Sequence, residues 1–249
     1  MPTYSGSPAT VTATTPQYPT RTYKELLYAI SRAAGIDPNR LLADDALAIR
    51  DYINTALRAI WEYYPWPKLM RVGSDTYANI DNYANYDLFF ISSTDPRVDR
   101  NPVFYTFSVD ASGFNIIDDN LATTATLYFT YRDRFHPFDG TSYSTTTTYE
   151  LDGMSYDSTT GDYYRSVAGS NLNNALTETD WWDRRYIPAF LFEYTKLSAL
   201  AQMREAEGQG EKSRILEVKA TAALMAELDK WERQKNQQLR PHVRVRSGG

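Results

Sequence analysis

Asp44-Asp45-Ala46-Leu47-Ala48-Ile49-Arg50-Asp51-Tyr52-Ile53-Asn54-Thr55-Ala56-Leu57-Arg58-Ala59-Ile60-Trp61-Glu62-Tyr63-Tyr64-Pro65 spells out one amphipathic helix and its stop. Ile49, Ile53, Ala56, Leu57, Ile60 and Tyr64 recur at helical spacing and form a single apolar stripe. Asp44 or Asp45 is placed to cap the start, and Pro65 ends the helix because proline lacks an N–H and clashes with the preceding turn. Working upstream, Thr22-Tyr23-Lys24-Glu25 has the form of a capping box ahead of Tyr23, Leu26, Leu27, Ile30 and Ala34, and Gly35 supplies a stop. The two helices predict a hairpin. Residues 1 to 20, rich in Pro, Thr and Ser, read as an extended N-terminal arm.

Downstream, residues 71–138 change to short β-prone runs: Tyr86 to Ile91, Val103 to Val109, Phe114 to Ile117 and Thr126 to Arg132. Asp110-Ala111-Ser112-Gly113 joins two of them as a hairpin, so this region predicts a small antiparallel sheet. Phe138-Asp139-Gly140 and the Ser/Thr-rich stretch Thr141 to Thr148 set off a second β-rich block, residues 139–186, which reads as an insertion. Helical spacing returns at Ile187, with Pro188 in a first turn and Phe190, Leu191, Tyr194, Leu197 and Ala201 as the buried face. After the break at Gly208-Gln209-Gly210, a last helix from Glu211 to about Gln238 carries two adjacent apolar stripes. One is Ile215, Val218, Ala222 and Met225, the other Thr221, Leu224, Leu228 and Trp231, which together predict a wide buried face. Beyond Trp231 the run Glu232 to Gln238 is wholly polar, so the helix is expected to project past its bundle. The fold class is α+β: a four-helix core from the two chain ends (21–70 and 187–238), a central small antiparallel β-sheet region, an inserted small β module, and extended N- and C-terminal arms.

Composition removes several function classes. The 249 residues contain no cysteine and only two histidines, His136 and His242, so thiolate chemistry and a histidine metal site are not expected. Asp118-Asp119 and Asp44-Asp45 are adjacent in sequence, which turns each pair's carboxylates apart; turns and caps account for them. Gly208-Gln209-Gly210 follows a helix instead of a strand and has no phosphate-loop Lys-Ser/Thr after it. No nucleophile has a plausible base beside it, so no catalytic residue, metal or cofactor is expected and the chain reads as no enzyme. The longest apolar run outside the helices, Leu88-Phe89-Phe90-Ile91, is far too short for a bilayer, and residues 1 to 20 lack signal-peptide layout. A soluble protein with no membrane partner is expected.

Two segments attract a binding reading. In residues 239–249, Leu239-Arg240-Pro241-His242-Val243-Arg244-Val245-Arg246-Ser247-Gly248-Gly249, Pro241 blocks the helix and the Val/Arg alternation has the period of an extended strand. Such a strand gains most by pairing with another chain, so it reads as an arm, its valines filling apolar pockets and its arginines meeting acidic groups. Nucleic acid is the alternative for three arginines, but net charge is −5 overall and so few cations bind weakly. In the inserted block, Tyr149, Tyr156, Tyr163, Tyr164, Trp181 and Trp182 crowd a segment with few aliphatics, so most of these rings serve as core. Trp181 and Trp182 cannot both face inward on a strand, which leaves at least one ring for a sugar or another protein.

Several short words then point to a family. Trp61-Glu62-Tyr63-Tyr64-Pro65-Trp66-Pro67, Tyr128-Phe129-Thr130-Tyr131-Arg132-Asp133-Arg134-Phe135, the helix start Ile187-Pro188-Ala189-Phe190 and the Gln-rich exit with its basic tail resemble head-to-tail adaptor (neck, or connector) proteins of tailed bacteriophages, across residues 22 to 246. The resemblance implies a structural virion protein made in the bacterial host cytoplasm. It would form a homo-oligomeric ring of twelve copies between the phage portal protein and the tail or a second neck (stopper) protein. DNA would pass through the channel without sequence-specific contact, and the family brings no catalytic activity. Arg240, Val243, Arg244, Val245 and Arg246 would be the portal-binding positions. The inserted block resembles the small carbohydrate-binding modules of chitinases through Tyr149, Gly153, Tyr156, the Asp157-Ser158-Thr159-Thr160-Gly161-Asp162 turn, Tyr163-Tyr164-Arg165, Asn171 to Ala175 and Trp181-Trp182. It departs at Asp152-Gly153, reversed from the usual order, and at Leu176, where a proline is common. The module implies decoration of the neck, with glycan binding by Tyr149, Tyr163, Tyr164, Trp181 and Trp182 as the alternative function.

Overall fold

A computed structural model describes residues 18–77, 86–99, 101–110, 113–117, 121–122 and 124–238. Among them are four α-helices and several small antiparallel sheets, a mixed helix-and-sheet fold. A short strand β1 (Thr20–Arg21) leads into α1 (Tyr23–Ala34), whose capping box forms as its sequence implies. The Glu25 amide donates to Thr22 Oγ1 at 3.1 Å and the Thr22 amide donates to Glu25 Oε2 at 3.0 Å. Gly35 ends α1 at φ 84°, where the Ile36 amide reaches back to the Ser31 carbonyl at 2.8 Å.

The second helix, α2 (Ala43–Tyr63), buries Ile49, Ile53, Ala56, Leu57, Ile60 and Trp61. Its cap differs from the expectation. Leu42 occupies the N-cap with no side-chain bond, and Asp44 and Asp45 fall inside the first turn, where their charge meets the helix dipole instead of a free amide. Tyr64 lies past the helix end and is only half-buried.

Helix α3 (Ala189–Ala206) and helix α4 (Gly210–Gln238) complete the helical part. Ile187–Pro188 is not a first helical turn, because the two residues pair with β1 as a strand and Pro188 stands at the N-cap. The buried set on α3 is also shifted from expectation. Leu191, Thr195, Ala199, Leu200 and Ala201 are buried, whereas Phe190, Tyr194 and Leu197 are half-buried. Those buried positions point around the whole circumference, since α3 packs on α1, α2 and α4 and lies between the last two. One continuous core joins Leu26 and Ile30 of α1, Ile53 and Ile60 of α2, Leu191 and Leu200 of α3, and Leu224 of α4.

The central region holds β2 (Arg71–Thr76), β3 (Tyr86–Ser92), β4 (Phe104–Tyr105), β5 (Phe107–Asp110), β6 (Gly113–Ile116) and β7 (Thr126–Asp133). They make two sheets instead of one. Four strands run in the antiparallel order β2-β7-β3-β4, and β5 and β6 form a separate hairpin, so the run Val103 to Val109 is split. Ile91, Leu127 and Phe129 of the larger sheet bury against Ile116 of the hairpin as a second core. Arg132 fastens this region to the helices. Its Nη1 donates to the carbonyls of Trp61 at 2.6 Å and Tyr64 at 3.1 Å, at the C-terminal end of α2, and its Nη2 pairs with Asp87 at 2.8 Å. A cation there satisfies carbonyls that have no helical partner.

The inserted block contains β8 (Thr148–Tyr149), β9 (Met154–Asp157), β10 (Asp162–Ser166), β11 (Asn171–Leu172) and β12 (Trp182–Arg184), followed by β13 (Ile187–Pro188), the partner of β1. Its sheets are β12-β10-β9 and β11-β8. At its entrance Gly140 has φ 102°, and a Cβ there would stand 2.3 Å from the Met154 carbonyl oxygen, so only glycine fits. The block is seated on the helices through Tyr163, whose ring meets Tyr23 at 4.9 Å and Phe138 at 5.5 Å, and through Asp162, which pairs with Arg184 and accepts the Lys24 amide at 3.4 Å.

Candidate functional surfaces

No group of three or more His, Asp or Glu side chains among the described residues could hold a metal ion. Asp118-Asp119 lies outside the described residues, and Asp44 and Asp45 are exposed on the first turn of α2. A polar cluster sits where the inserted block meets the body. Arg165 Nη1 lies 3.3 Å from His136 Nε2 and 3.4 Å from Asp152, and its Nη2 lies 3.4 Å from Asp183. Burial, reinforced by the guanidinium charges of Arg185 and Arg165, holds the His136 imidazole down at about 4, so it is neutral at pH 7. Burial also lowers Arg185, whose Nε is shut away from solvent with no partner. The cluster joins His136 of the body to Asp152, Arg165 and Asp183 of the inserted block, a seam between two parts of the chain.

The aromatic candidates of the inserted block divide by strand alternation. Tyr163 is buried in the main core, while Tyr149 and Trp182 are buried together at 4.9 Å, with Tyr143 closing the cluster at 6.2 Å from Tyr149 and 5.9 Å from Trp182. Trp182 Nε1 donates to the Asn174 carbonyl at 3.0 Å, a satisfied core indole. Only Tyr164 and Trp181 remain half-exposed, so of the five rings these two keep a face for a ligand. The candidate arm positions Arg240, Val243, Arg244, Val245 and Arg246 lie outside the described residues.

The helices carry the larger surface. On α4 the two stripes separate, except that Thr221 of the inner one is exposed. Leu224 is buried and Leu228 and Trp231 are half-buried toward the body, whereas Ile215 is 52% exposed, Val218 70% and Met225 44%, with Ala222 exposed between them. The wide buried face expected of α4 is therefore two faces, one with a neighbour and one without. Arg214 and Lys219 flank the outer stripe, and neither has an ion-pair partner among the described residues.

Two further exposed leucines stand at the start of α2, five positions apart and so on different sides of the helix. Leu42 is 69% exposed and Leu47 47%, among the exposed carboxylates Asp44, Asp45 and Asp51. Sequence reading missed this pair because Leu47 lies off the main stripe. A smaller patch, Phe90 against Phe104 at 5.5 Å, lies on the sheet. No helix among the described residues is long and apolar enough to cross a membrane. Compared with known protein families and with curated proteins, the chain matches none.

Proposed function

We propose that this chain is a structural subunit of a tailed-phage virion, a head-to-tail adaptor that stands as a twelve-copy ring between portal and tail. A helical core built from both chain ends carries the ring, the inserted module decorates its outside, and the segment 239–249 docks on the portal through Arg240, Val243, Arg244, Val245 and Arg246. The ring completes the channel through which DNA passes, with no catalysis and no base-specific contact.

The observation that supports this reading is the outer stripe of α4. A long helix that leaves Ile215, Val218 and Met225 exposed has an apolar face that no other described residue covers, and contiguous faces of that kind mark association surfaces. The test is attachment to portal-bearing capsids. Full-length protein is expected to co-sediment with them, and a chain lacking residues 239–249 to stay in the supernatant while keeping its helical circular dichroism. Equal attachment by both would remove the arm from the mechanism.

A glycan-binding reading draws on Tyr164 and Trp181, whose half-exposed rings belong to the module that resembles chitinase modules. Trp181→Ala is the discriminating variant, since Trp182→Ala would collapse the module by about 3–5 kcal/mol and report only on folding. Retention of the intact protein on chitin, lost with Trp181→Ala, is the outcome that would favour this second reading.

A further inference from the structure

We propose that the segment ahead of Tyr18 adds a strand to the four-stranded sheet, Ala9 to Thr15 pairing along the open edge of β2 in the same chain. This pairing is independent of the ring reading.

The sheet runs in the order β2-β7-β3-β4, so β2 and β4 are its edges. β4 is two residues long and offers a partner little, whereas β2 runs for six, Arg71–Thr76, and no described strand pairs with its outer side. The ladder shows which of its groups are open. The Tyr77 amide donates to the Ala125 carbonyl at 3.0 Å, and Thr76 stands opposite Thr126, so Tyr77 and Ala125 form a hydrogen-bonded pair. Pairs of that kind recur at every second residue, which turns Gly73 toward β7 and leaves the amides and carbonyls of Val72, Ser74 and Thr76 facing the open side. In keeping with this, the Thr76 amide is met by its neighbour's carboxylate, Asp75 Oδ1, at 2.7 Å.

The chain delivers an occupant to that edge. Tyr18, the first described residue, packs its ring 6.1 Å from Phe190, which lies 5.4 Å from Trp66 and 5.2 Å from the Lys68 ammonium, in the stretch that leads into β2. Burial raises the Tyr18 phenol while Arg185 and then Arg71, the first residue of β2, draw it down, so the two side chains lie within electrostatic reach. A segment that leaves Tyr18 along β2 passes from the Arg71 end toward Thr76. It is therefore antiparallel to β2, with no linker to cross.

Composition and length agree. Between Pro8 and Pro16 stand Ala9-Thr10-Val11-Thr12-Ala13-Thr14-Thr15, mostly β-branched and without a charge. At roughly 3.3 Å per residue this run spans about 23 Å, against about 20 Å for β2. Pro16 has no N–H to give, so it stands opposite an odd residue of β2, and Thr15, Ala13 and Val11 then exchange bonds with the even ones. Ala13 and Thr14 thus differ in kind, since the Ala13 amide donates to β2 and the Thr14 amide faces away. The same segment of a second copy could make equal bonds, but a segment already tethered at the Arg71 end has the higher effective concentration.

Residue-resolved amide exchange of the full-length protein tests this. The Val72 and Ser74 amides of the wild type should exchange at least about tenfold more slowly than those of Ala13→Pro, which lacks the central donor. Thr14→Pro should keep the wild-type protection, and the Gly73 amide, bonded to β7, should be unchanged in all three. Equal exchange at Val72 and Ser74 in wild type and Ala13→Pro would overturn the pairing. Protection lost in Thr14→Pro as well would overturn the register set by Pro16. Protection that falls as the protein is diluted would overturn pairing within one chain in favour of the segment of a second copy.

Discussion

Helices α3 and α4 are both apolar on more than one side, and they come to opposite ends. In α3 the extra apolar positions are buried, because α1 and α2 cover one side and α4 the other, and small residues such as Ala199 and Ala201 let these neighbours approach. In α4 the second set is exposed, because α3 supplies one neighbour and the other described residues supply none. The same pattern of side chains therefore stabilises the fold in one helix and stays exposed in the other. What separates them is the number of helices within reach, a property of the fold and not of the segment.

The sharpest way to break this comparison is to truncate matched positions. Leu191→Ala, in the sandwiched helix, removes a side chain that is buried on all sides and should cost about 2–5 kcal/mol in urea unfolding. A cost near that of an exposed leucine would mean that α3 is not the middle layer.

The next largest effect concerns the end where α1 and α3 meet. Arg204 bonds the Ala34 carbonyl at 3.0 Å and Glu207 at 2.6 Å, a charged donor on a helix C-terminus. Arg204→Met should cost about 1–2 kcal/mol in the same assay. A variant as stable as the parent would mean that this bond does not hold the ends of α1 and α3 together.

How much of this is legible from the chain depends on whether the deciding neighbour is close in sequence. The capping box at Thr22 and Glu25 and the stop at Gly35 were readable, since their partners lie within one turn. The strand Arg71–Thr76 was not, because Arg-Val-Gly-Ser-Asp-Thr has little β-forming character and is held by pairing with β7, more than fifty positions on. Alternation showed that Trp181 and Trp182 cannot both face inward, but not which of the two would be buried. Asp44 and Asp45 suit a cap by residue type, yet the N-cap falls two residues before Asp44, at Leu42. The outer stripe of α4 was visible as periodicity, whereas its exposure depended on where α3 came to rest.

Acid tests the seam and leaves the helix pair as an internal control. The folded His136 titrates at about 4, below the ordinary value of about 6.5, so its neutral form is the one the fold accepts. Stability from this group is fully present above pH 6.5 and is lost as pH falls from 6.5 toward 4, the window in which the unfolded chain binds the extra proton. The shift corresponds to about 3 kcal/mol at most, and partial exposure of the ring screens it to on the order of 1 kcal/mol. His136→Gln should flatten that part of the pH profile without altering the cost of Leu191→Ala. An unchanged profile would assign the acid loss to other groups.

The smallest expected effect is the most informative for α4. Ile215→Ser and Val218→Ser each remove an apolar side chain that water already reaches, so the unfolding free energy of dilute protein should move by no more than about 0.5 kcal/mol. Their counterpart Leu191 lies in a helix whose neighbours cannot follow a shrinking side chain, which is why deletion there leaves a cavity. If either serine variant costs as much as Leu191→Ala, then the outer stripe is covered within its own chain, α4 is a second α3, and there is no free helical face for a neighbouring copy to meet.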